Sequence, residues 1–244
     1  MKRNEIYLGD CLELIPKHIE DKSVDMIFCD LPYGTTKCKW DSVIDLPKLW
    51  KEYERVIKDN GAIVLFAQTP FDKVLGASNL KMMKYEWIWE KTQATGHLNA
   101  KKMPMKAHEN ILVFYKKLPT YNPQKTSGHK PINSYTKYVN TQNNTEIYGE
   151  MKREISGGGE TDRYPRSVVT YASDKQKSKL HSTQKPLALI EYMIKTYTNE
   201  GDLILDNACG SGTTGVGAEK LNRGWVMMEK DPEIYDTACK RLQM

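Results

Sequence analysis

The stretch LILDNACGSGTTG, residues 203 to 215, decides the fold class. Its apolar start predicts a buried strand, and its three glycines predict a tight turn that leads into a helix. A glycine turn at a helix N-terminus lets a ligand approach the backbone closely and directs free N–H groups at it. The stretch therefore predicts an α/β fold with a ligand site where the strand ends.

Alternating apolar and amphipathic runs extend outward from this stretch in both directions. Strands are predicted at Ile6 to Leu8, Val24 to Cys29, Ala62 to Ala67, Tyr85 to Trp89, Ile111 to Tyr115, Leu203 to Leu205 and Trp225 to Met228. Helices are predicted at Cys11 to Ile19, Leu46 to Lys58, Phe71 to Leu80, Leu187 to Thr198, Thr213 to Leu221 and Pro232 to Arg241. This alternation predicts a doubly wound, mostly parallel sheet, which we expect to contain one antiparallel strand.

Composition excludes several classes of protein. The 244 residues are 39% hydrophobic and 27% charged, which excludes a disordered chain and a membrane protein. Five cysteines, without any Cys-x-x-Cys pair, argue against a disulfide framework and against a zinc site. We expect a cytoplasmic protein with free thiols and no metal.

The acidic residues around the glycine turn favour a nucleoside ligand. Asp206 precedes the turn, where it would repel a pyrophosphate but could hold an ammonium group. Glu229 ends the next predicted strand, where it could accept hydrogen bonds from a ribose diol. Val216 occupies the position where a Walker loop needs lysine. A dinucleotide site with NAD also fits this pattern, so an oxidoreductase stays open as an alternative.

The second informative stretch is Asp30-Leu-Pro-Tyr33-Gly, directly after an apolar strand. An exocyclic amino group of a base is a poor nucleophile because its lone pair is delocalised into the ring. Asp30 and the carbonyl of Leu31 could each accept one N–H and direct that lone pair toward a methyl donor. Pro32 shapes the turn, and Tyr33 offers a ring on which a base can stack.

The two stretches together resemble the amino-methylating DNA methyltransferases, which combine an Asp-Pro-Pro-Tyr type motif with a glycine turn for S-adenosyl-L-methionine. Their order here resembles the circularly permuted β group and implies a Rossmann-like methyltransferase fold. Leu31 replaces the usual proline of the motif. The resemblance implies a catalytic set of Asp30, Leu31, Pro32 and Tyr33. It implies cofactor contacts from Asp10, Cys11, Asp30, Lys185, Asp206, Ala208, Gly210, Ser211, Gly212, Thr213 and Glu229.

The basic residues are concentrated in the middle of the chain. Residues 92 to 185 hold 16 Lys and Arg against 7 Asp and Glu, a balance of +9, whereas the remainder has a balance of −4. The resemblance implies a catalytic half at residues 1–116, a target-recognition insertion at 117–180 and a cofactor-binding half at 181–244. A positive field in the insertion favours double-stranded DNA as the partner. The predicted DNA contacts are Lys101, Lys102, Lys106, Lys125, Lys130, Lys152, Arg153, Arg163 and Arg166.

Methylation of adenine N6 is predicted over methylation of cytosine N4, because in the family that is resembled an acidic first residue usually accompanies adenine. The chemistry of Asp30, Leu31 and Tyr33 serves both bases. A non-catalytic DNA-binding regulator and an RNA methyltransferase stay open as further alternatives. The resemblance also leaves open a homodimer and a cognate restriction enzyme as partners.

Overall fold

A computed structural model describes residues 2–34, 43–132, 158–173 and 184–244. It divides the chain into two compact units. The larger unit comprises Met1–Asn122 and Arg166–Met244, and the smaller unit is Pro123–Pro165. None of the helices in the described ranges is long and apolar enough to cross a membrane.

An eight-stranded sheet forms the centre of the larger unit. Its strands are β1 (Glu5–Leu8), β2 (Val24–Asp30), β3 (Ile57–Ala67), β4 (Met83–Thr95), β5 (Lys106–Phe114), β6 (Val168–Tyr171), β7 (Leu203–Asp206) and β8 (Gly224–Glu229). Their order in space is β1-β8-β7-β2-β3-β5-β4-β6. Only β5 runs antiparallel to its two neighbours among these described pairs. The mostly parallel sheet with one antiparallel strand is thereby confirmed.

The described residues form six α-helices, five between strands and one after β8: α1 (Cys11–His18), α2 (Leu46–Val56), α3 (Phe71–Ser78), α4 (Leu187–Tyr197), α5 (Thr213–Lys220) and α6 (Pro232–Leu242). Aspartate side chains accept backbone N–H groups at the start of three of them, at Asp10, Asp45 and Asp231. Such caps fix where a helix begins, because the first N–H groups have no partner inside the helix.

Helices cover both faces of the sheet, as a doubly wound fold requires. Tyr53 of α2 and Leu75 of α3 pack with Ile27 on one face. Ile194 of α4 packs with Phe28 on the other face. Neighbouring residues of β2 therefore point into two different apolar layers, which explains why residues 26–29 of that strand are all apolar.

The observed elements differ from the predicted ones at the end of α2, at the ends of β4 and β5, which form the β4–β5 hairpin, and in the middle of the chain. Helix α2 ends at Val56, two residues before the predicted Lys58, because β3 already begins at Ile57. Strands β4 and β5 both extend beyond their predicted ends toward a shared tip. The unpredicted β6 pairs with β4 in parallel, so residues 166–173 contribute to the larger unit.

The smaller unit is held by contacts among its described residues. Thr126 and Arg163 form an antiparallel bridge. The Arg163 guanidinium donates to the carbonyls of Glu160 and Asp162, each at 3.0 Å, and to the carbonyl of Lys130. Lys125 Nζ lies 4.4 Å from the centre of the Tyr164 ring. Arg163 thus has a clear structural role within this unit.

Candidate active site

A cavity of about 820 Å³ lies at the carboxyl ends of the parallel strands of the larger unit. Strands β2, β7 and β8 end there with Asp30, Asp206 and Glu229. Because β2 pairs with β7 and β7 pairs with β8, these three acidic residues come together at one edge. A cavity of this size at this edge of an open α/β sheet suits a nucleotide-sized ligand.

The Asp30 carboxylate is held by two different donors. Tyr33 Oη donates to Oδ1 at 2.6 Å, and Lys185 Nζ donates to Oδ2 at 2.5 Å. The Tyr33 ring stacks on Phe71, with 5.4 Å between the ring centres. Since each carboxylate oxygen has two acceptor sites, Asp30 can still accept hydrogen bonds from a further group in the cavity.

A chain of buried charges extends from Asp30 into the β4–β5 hairpin. Lys185 Nζ also lies 3.3 Å from Oε2 of Glu109 in β5, and Oε1 of Glu109 lies 2.6 Å from Lys91 Nζ in β4. Burial alone would lower the pKa of Lys185, but the carboxylates of Asp30 and Glu109 outweigh it and raise that pKa above its usual value. Burial would likewise raise the pKa of Glu109, yet the two lysines lower it. Both groups are therefore charged at neutral pH.

The Asp206 carboxylate has a different environment. It is 3% exposed, and its Oδ1 accepts from the N–H of Ala208 at 3.2 Å. Burial raises its pKa to about 7, although hydrogen bonds from Thr214 and Ala208 oppose the rise. Within the described ranges no lysine or arginine pairs with it. A buried carboxylate without a cation is costly and would be stabilised by a cationic ligand.

Glu229 fixes the glycine turn from the neighbouring strand. Its Oε2 accepts from the N–H of Gly210 at 2.9 Å, and its Oε1 accepts from the N–H groups of Lys230 and Asp231 at 2.8 and 2.9 Å. Gly212 directly precedes α5 and has a φ of +75°, and a Cβ there would lie 3.3 Å from that of Ala238. Glycine meets both the left-handed backbone and the close packing.

Nearly all predicted catalytic and cofactor residues line this cavity. The lining residues among them are Asp10, Cys11, Asp30, Leu31, Pro32, Tyr33, Lys185, Asp206, Ala208, Gly210, Ser211, Thr213 and Glu229. Gly212 does not line it and instead shapes the turn. Asp10 also caps α1 through the N–H of Leu12 and pairs with Lys230 at 3.0 Å.

The predicted DNA contacts fall into separate groups. Lys101, Lys102 and Lys106 lie on the exposed end of the β4–β5 hairpin, and Lys106 reaches the cavity wall. Arg166 is exposed on the larger unit. The smaller unit carries Lys125, Lys130 and Arg163. Lys152 and Arg153 lie outside the described residues.

Sequence reasoning missed two charged residues of the site, Glu109 and Lys91. Nothing in the local sequence marked the Glu109 carboxylate as a partner of Lys185. Lys91 belongs to a strand predicted to end at Trp89. Only the antiparallel register, which places Trp89 opposite Glu109, brings Lys91 to that carboxylate. An apolar strand that acquires charged residues at its end is the signal that could have found them.

Comparisons with known proteins give the family. Residues 24–240 match the N6/N4 family described as DNA methylase. The chain is 31% identical to type II methyltransferase M.HpaI of Haemophilus parainfluenzae, over 93% of this chain and 70% of that protein. It is 30% identical to DNA adenine methyltransferase YhdJ of Escherichia coli K12, over 97% of this chain and 81% of that protein.

Solved structures share the fold. The M1.HpyAVI–SAM complex aligns with a TM-score of 0.67 at 24% identity, covering 98% of this chain and 99% of that one. The PvuII cytosine-N4-specific DNA methyltransferase aligns with a TM-score of 0.70 at 16% identity, covering 99% and 86%. Because the family match spans most of the residues and includes the edge that carries Asp30, Asp206 and Glu229, the chain belongs to the amino-methylating DNA methylases.

Proposed function

We propose that this protein transfers a methyl group from S-adenosyl-L-methionine to N6 of adenine in double-stranded DNA. One observation carries the proposal. Asp30 and Asp206 end the paired strands β2 and β7 and line one cavity, but only Asp30 has a cationic partner among the described residues. The pair therefore offers one acceptor for a neutral amine and one partner for a cation.

The residues near the glycine turn fit the cofactor. Asp206 suits its ammonium group, because that ligand would supply the positive charge that the buried carboxylate lacks. Glu229 can accept from ribose hydroxyls while it holds the turn, since each of its oxygens has room for a further hydrogen bond. Asp10 and Cys11 lie on the same cavity and suit the adenine end. The cofactor supplies an electrophilic methyl group on a sulfonium, with a neutral thioether as leaving group.

The residues at the end of β2 suit the target amine. Asp30 and the Leu31 carbonyl would accept its two N–H bonds, so that the nitrogen lone pair points at the methyl carbon. The N–C bond forms as the carbon–sulfur bond breaks, and the proton released from nitrogen passes to Asp30 or to water. No covalent enzyme intermediate is needed.

Lys185 acts as a positioning residue for Asp30 in this proposal. Its ammonium pairs with the Asp30 carboxylate and fixes its orientation, Glu109 pairs with the same ammonium, and Lys91 pairs with Glu109. The sequence predicted Lys185 as a cofactor contact, and it does line the cavity. Its contacts support a role beside the target base as well.

Adenine is favoured over cytosine by two observations. Asp30 is acidic, which in the family usually accompanies adenine, and the relative YhdJ is named a DNA adenine methyltransferase. The PvuII enzyme, named as cytosine-N4-specific, is similar in fold at low identity and so does not bear on the base. Because the chain belongs to a family of DNA methylases, the NAD-dependent oxidoreductase is no longer needed as an alternative.

The deciding experiment is expression in Escherichia coli cells that lack their own adenine methylation. Hydrolysis of the cellular DNA to nucleosides, followed by mass spectrometry, should give N6-methyladenine. Cells that express the Asp30→Ala variant should give none. N4-methylcytosine as the main product would assign the other base, and absence of any methylated base would support a non-catalytic regulator. Sequencing that detects modified bases then identifies the recognition sequence.

The smaller unit and its flanks suit target recognition. Lys125 and Lys130, with the basic residues outside the described ranges, give this part of the chain its positive charge. Replacing both with alanine should weaken binding of a 30-base-pair duplex and reduce its salt dependence. A homodimer and a cognate restriction enzyme stay predictions of the resemblance, and sedimentation of the purified protein tests the first.

A further inference from the structure

The tip of the β4–β5 hairpin, residues 95–106, is an exposed apolar surface surrounded by positive charge. Every residue from 92 to 108 is exposed. Three large apolar side chains are among them: Leu98 is 87% exposed, Met103 is 53% exposed and Met105 is 41% exposed. From residue 95 to residue 106 the sequence contains three lysines and no aspartate or glutamate. Such a surface suits a partner whose outer surface is polyanionic and whose interior is apolar.

The backbone of the hairpin tip is well fixed by hydrogen bonds. Gly96 enters the tip with a φ of +88°, and the N–H groups of Asn99 and Ala100 donate to the carbonyls of Gly96 and His97 at 2.9 and 3.1 Å. These bonds close a 3₁₀ turn at His97–Asn99 that presents Leu98 to solvent. An apolar side chain presented on a preformed turn loses little conformational entropy when it inserts elsewhere.

The hairpin tip also borders the catalytic cavity. Thr95, Asn99 and Lys106 line the same cavity as Asp30 and Tyr33. Lys106 Nζ donates to Gln68 Oε1 at 3.0 Å, which attaches the tip to the end of β3. An element at this position would meet the duplex from which a base has to be withdrawn.

We infer that the hairpin tip is a DNA-opening element, in which Leu98 inserts into the base stack beside the target base while Lys101 and Lys102 contact phosphates. Apolar side chains that wedge between bases compensate for the stacking lost when a nucleotide leaves the duplex. Leu98 has the required exposure and shape, and the lysines supply sequence-independent attraction. This inference rests on the proposed function and adds to it a residue that acts on the duplex rather than on the methyl transfer.

The test compares Leu98→Ala with a matched control, Leu80→Ala. Leu80 is 69% exposed and lies between α3 and β4, at the end of the hairpin opposite to the tip. The substrates are two duplexes that contain the recognition sequence found by modified-base sequencing. In one the target base is paired, and in the other an abasic site faces it, so that less stacking and pairing must be broken.

We expect Leu98→Ala to lower the single-turnover rate about tenfold on the paired duplex and less than about twofold on the duplex with the abasic site. Leu80→Ala should match the wild type on both. With 2-aminopurine in place of the target base, the fluorescence increase on binding should be smaller for Leu98→Ala. Cofactor affinity should be equal in all three proteins.

Wild-type activity of Leu98→Ala on the paired duplex would overturn the inference. An equal loss of rate on both duplexes, with an unchanged 2-aminopurine signal, would also overturn it. So would a wild-type protein that is a dimer and that Leu98→Ala converts to a monomer, because a second copy of the chain would then cover the tip. A wild-type protein that modifies no DNA would refute the proposed function as well. If the wild-type protein methylates DNA and the Leu98→Ala variant is equally active, the inference about the hairpin tip is refuted but the proposed function is not.

Discussion

Two aspartates at the same edge of the sheet have opposite electrostatic surroundings. Asp30 at the end of β2 contacts the Lys185 ammonium, which Glu109 stabilises from the hairpin. Asp206 at the end of β7 is buried without a cation among the described residues, and burial raises its pKa to about 7. Identical side chains on paired strands are thus prepared for different ligands. The first can accept from a neutral amine, and the second is completed by a cation.

Besides Lys185, the segment that comes after each strand adds to this difference. After β2 the chain continues through Pro32 to Tyr33, whose hydroxyl donates to Asp30. After β7 the glycine turn supplies backbone N–H groups and small side chains, which leave room for a ligand beside Asp206. Mutations that remove or neutralise either environment should therefore have separable effects on methyl transfer and on cofactor binding.

The largest effect is expected for Asp30→Ala. Loss of the acceptor for the target amine should lower single-turnover methyl transfer about 10³-fold, because a preorganised group opposite the developing charge is lost. Cofactor affinity measured by calorimetry should change less than about threefold, since Asp206 and Glu229 remain. An equal loss of affinity and rate would show that Asp30 serves the cofactor and would remove the contrast between the two aspartates.

A smaller effect, on binding alone, is expected for Asp206→Asn. The amide keeps the shape and the hydrogen bond from Ala208 but has no charge for an ammonium group. Cofactor affinity should fall by at least about 30-fold, as for a partner removed from a buried charge pair. Once the protein is saturated with cofactor, the transfer rate should recover. Unchanged affinity in calorimetry would mean that Asp206 is purely structural.

The third prediction concerns pH and depends on the raised pKa of Asp206, about 7. Below that value the carboxyl is increasingly protonated and neutral, so cofactor affinity should fall by about tenfold between pH 8 and pH 6. Asp206→Asn provides the control, because it retains any titration of the cofactor itself. The same pH dependence in variant and wild type would argue that Asp206 does not hold the ammonium group.

The smallest effect is expected for Glu109→Gln. Glu109 raises the pKa of Lys185, so its removal should lower that pKa and move the alkaline limb of the pH–rate profile to lower pH. The maximal rate should fall about fivefold, in the range of a lost contact to a charged group, with little change in cofactor affinity.

Glu90→Gln is the control for this last change. Glu90 lies in the same hairpin, is exposed and accepts a hydrogen bond from Thr170 at 2.7 Å. It should leave both the rate and the pH profile unchanged. If the Glu109→Gln protein has the wild-type pH profile, Glu109 does not influence the role of Lys185 in the reaction.

The parts of this site that lie at strand ends could be predicted from the sequence. Asp206 stands beside a glycine turn and Glu229 at a strand end, so local sequence patterns located both residues. Both line the cavity. Asp30 was found in the same way. The contacts of these residues could not be predicted, because Lys185 reaches Asp30 from a sequence separation of 155 residues.

The β4–β5 hairpin shows the physical limit of such reasoning most clearly. Its outer residues from 92 to 108 are exposed, so no alternation of buried and exposed positions marks them as strand. Pairing with the opposite strand, as Thr95 pairs with Lys106, maintains their extended backbone instead. Edge strand β6 was missed for a different reason: Val169 and Tyr171 pack against the apolar core and alternate with exposed residues, but the strand is only four residues long.

The strand order has a consequence for how the protein matures during synthesis. Strands β1 and β2 are separated in the sheet by β8 and β7, which the ribosome adds about 200 residues later. A nascent chain can therefore pair β2 with β3 early, but the gap beside β2 closes only when β7 arrives. Both aspartates come together in that step. The edge of the sheet that carries the cavity is thus assembled only after β7 and β8 have been synthesised, and a chain that stops before them contains Asp30 but neither Asp206 nor Glu229.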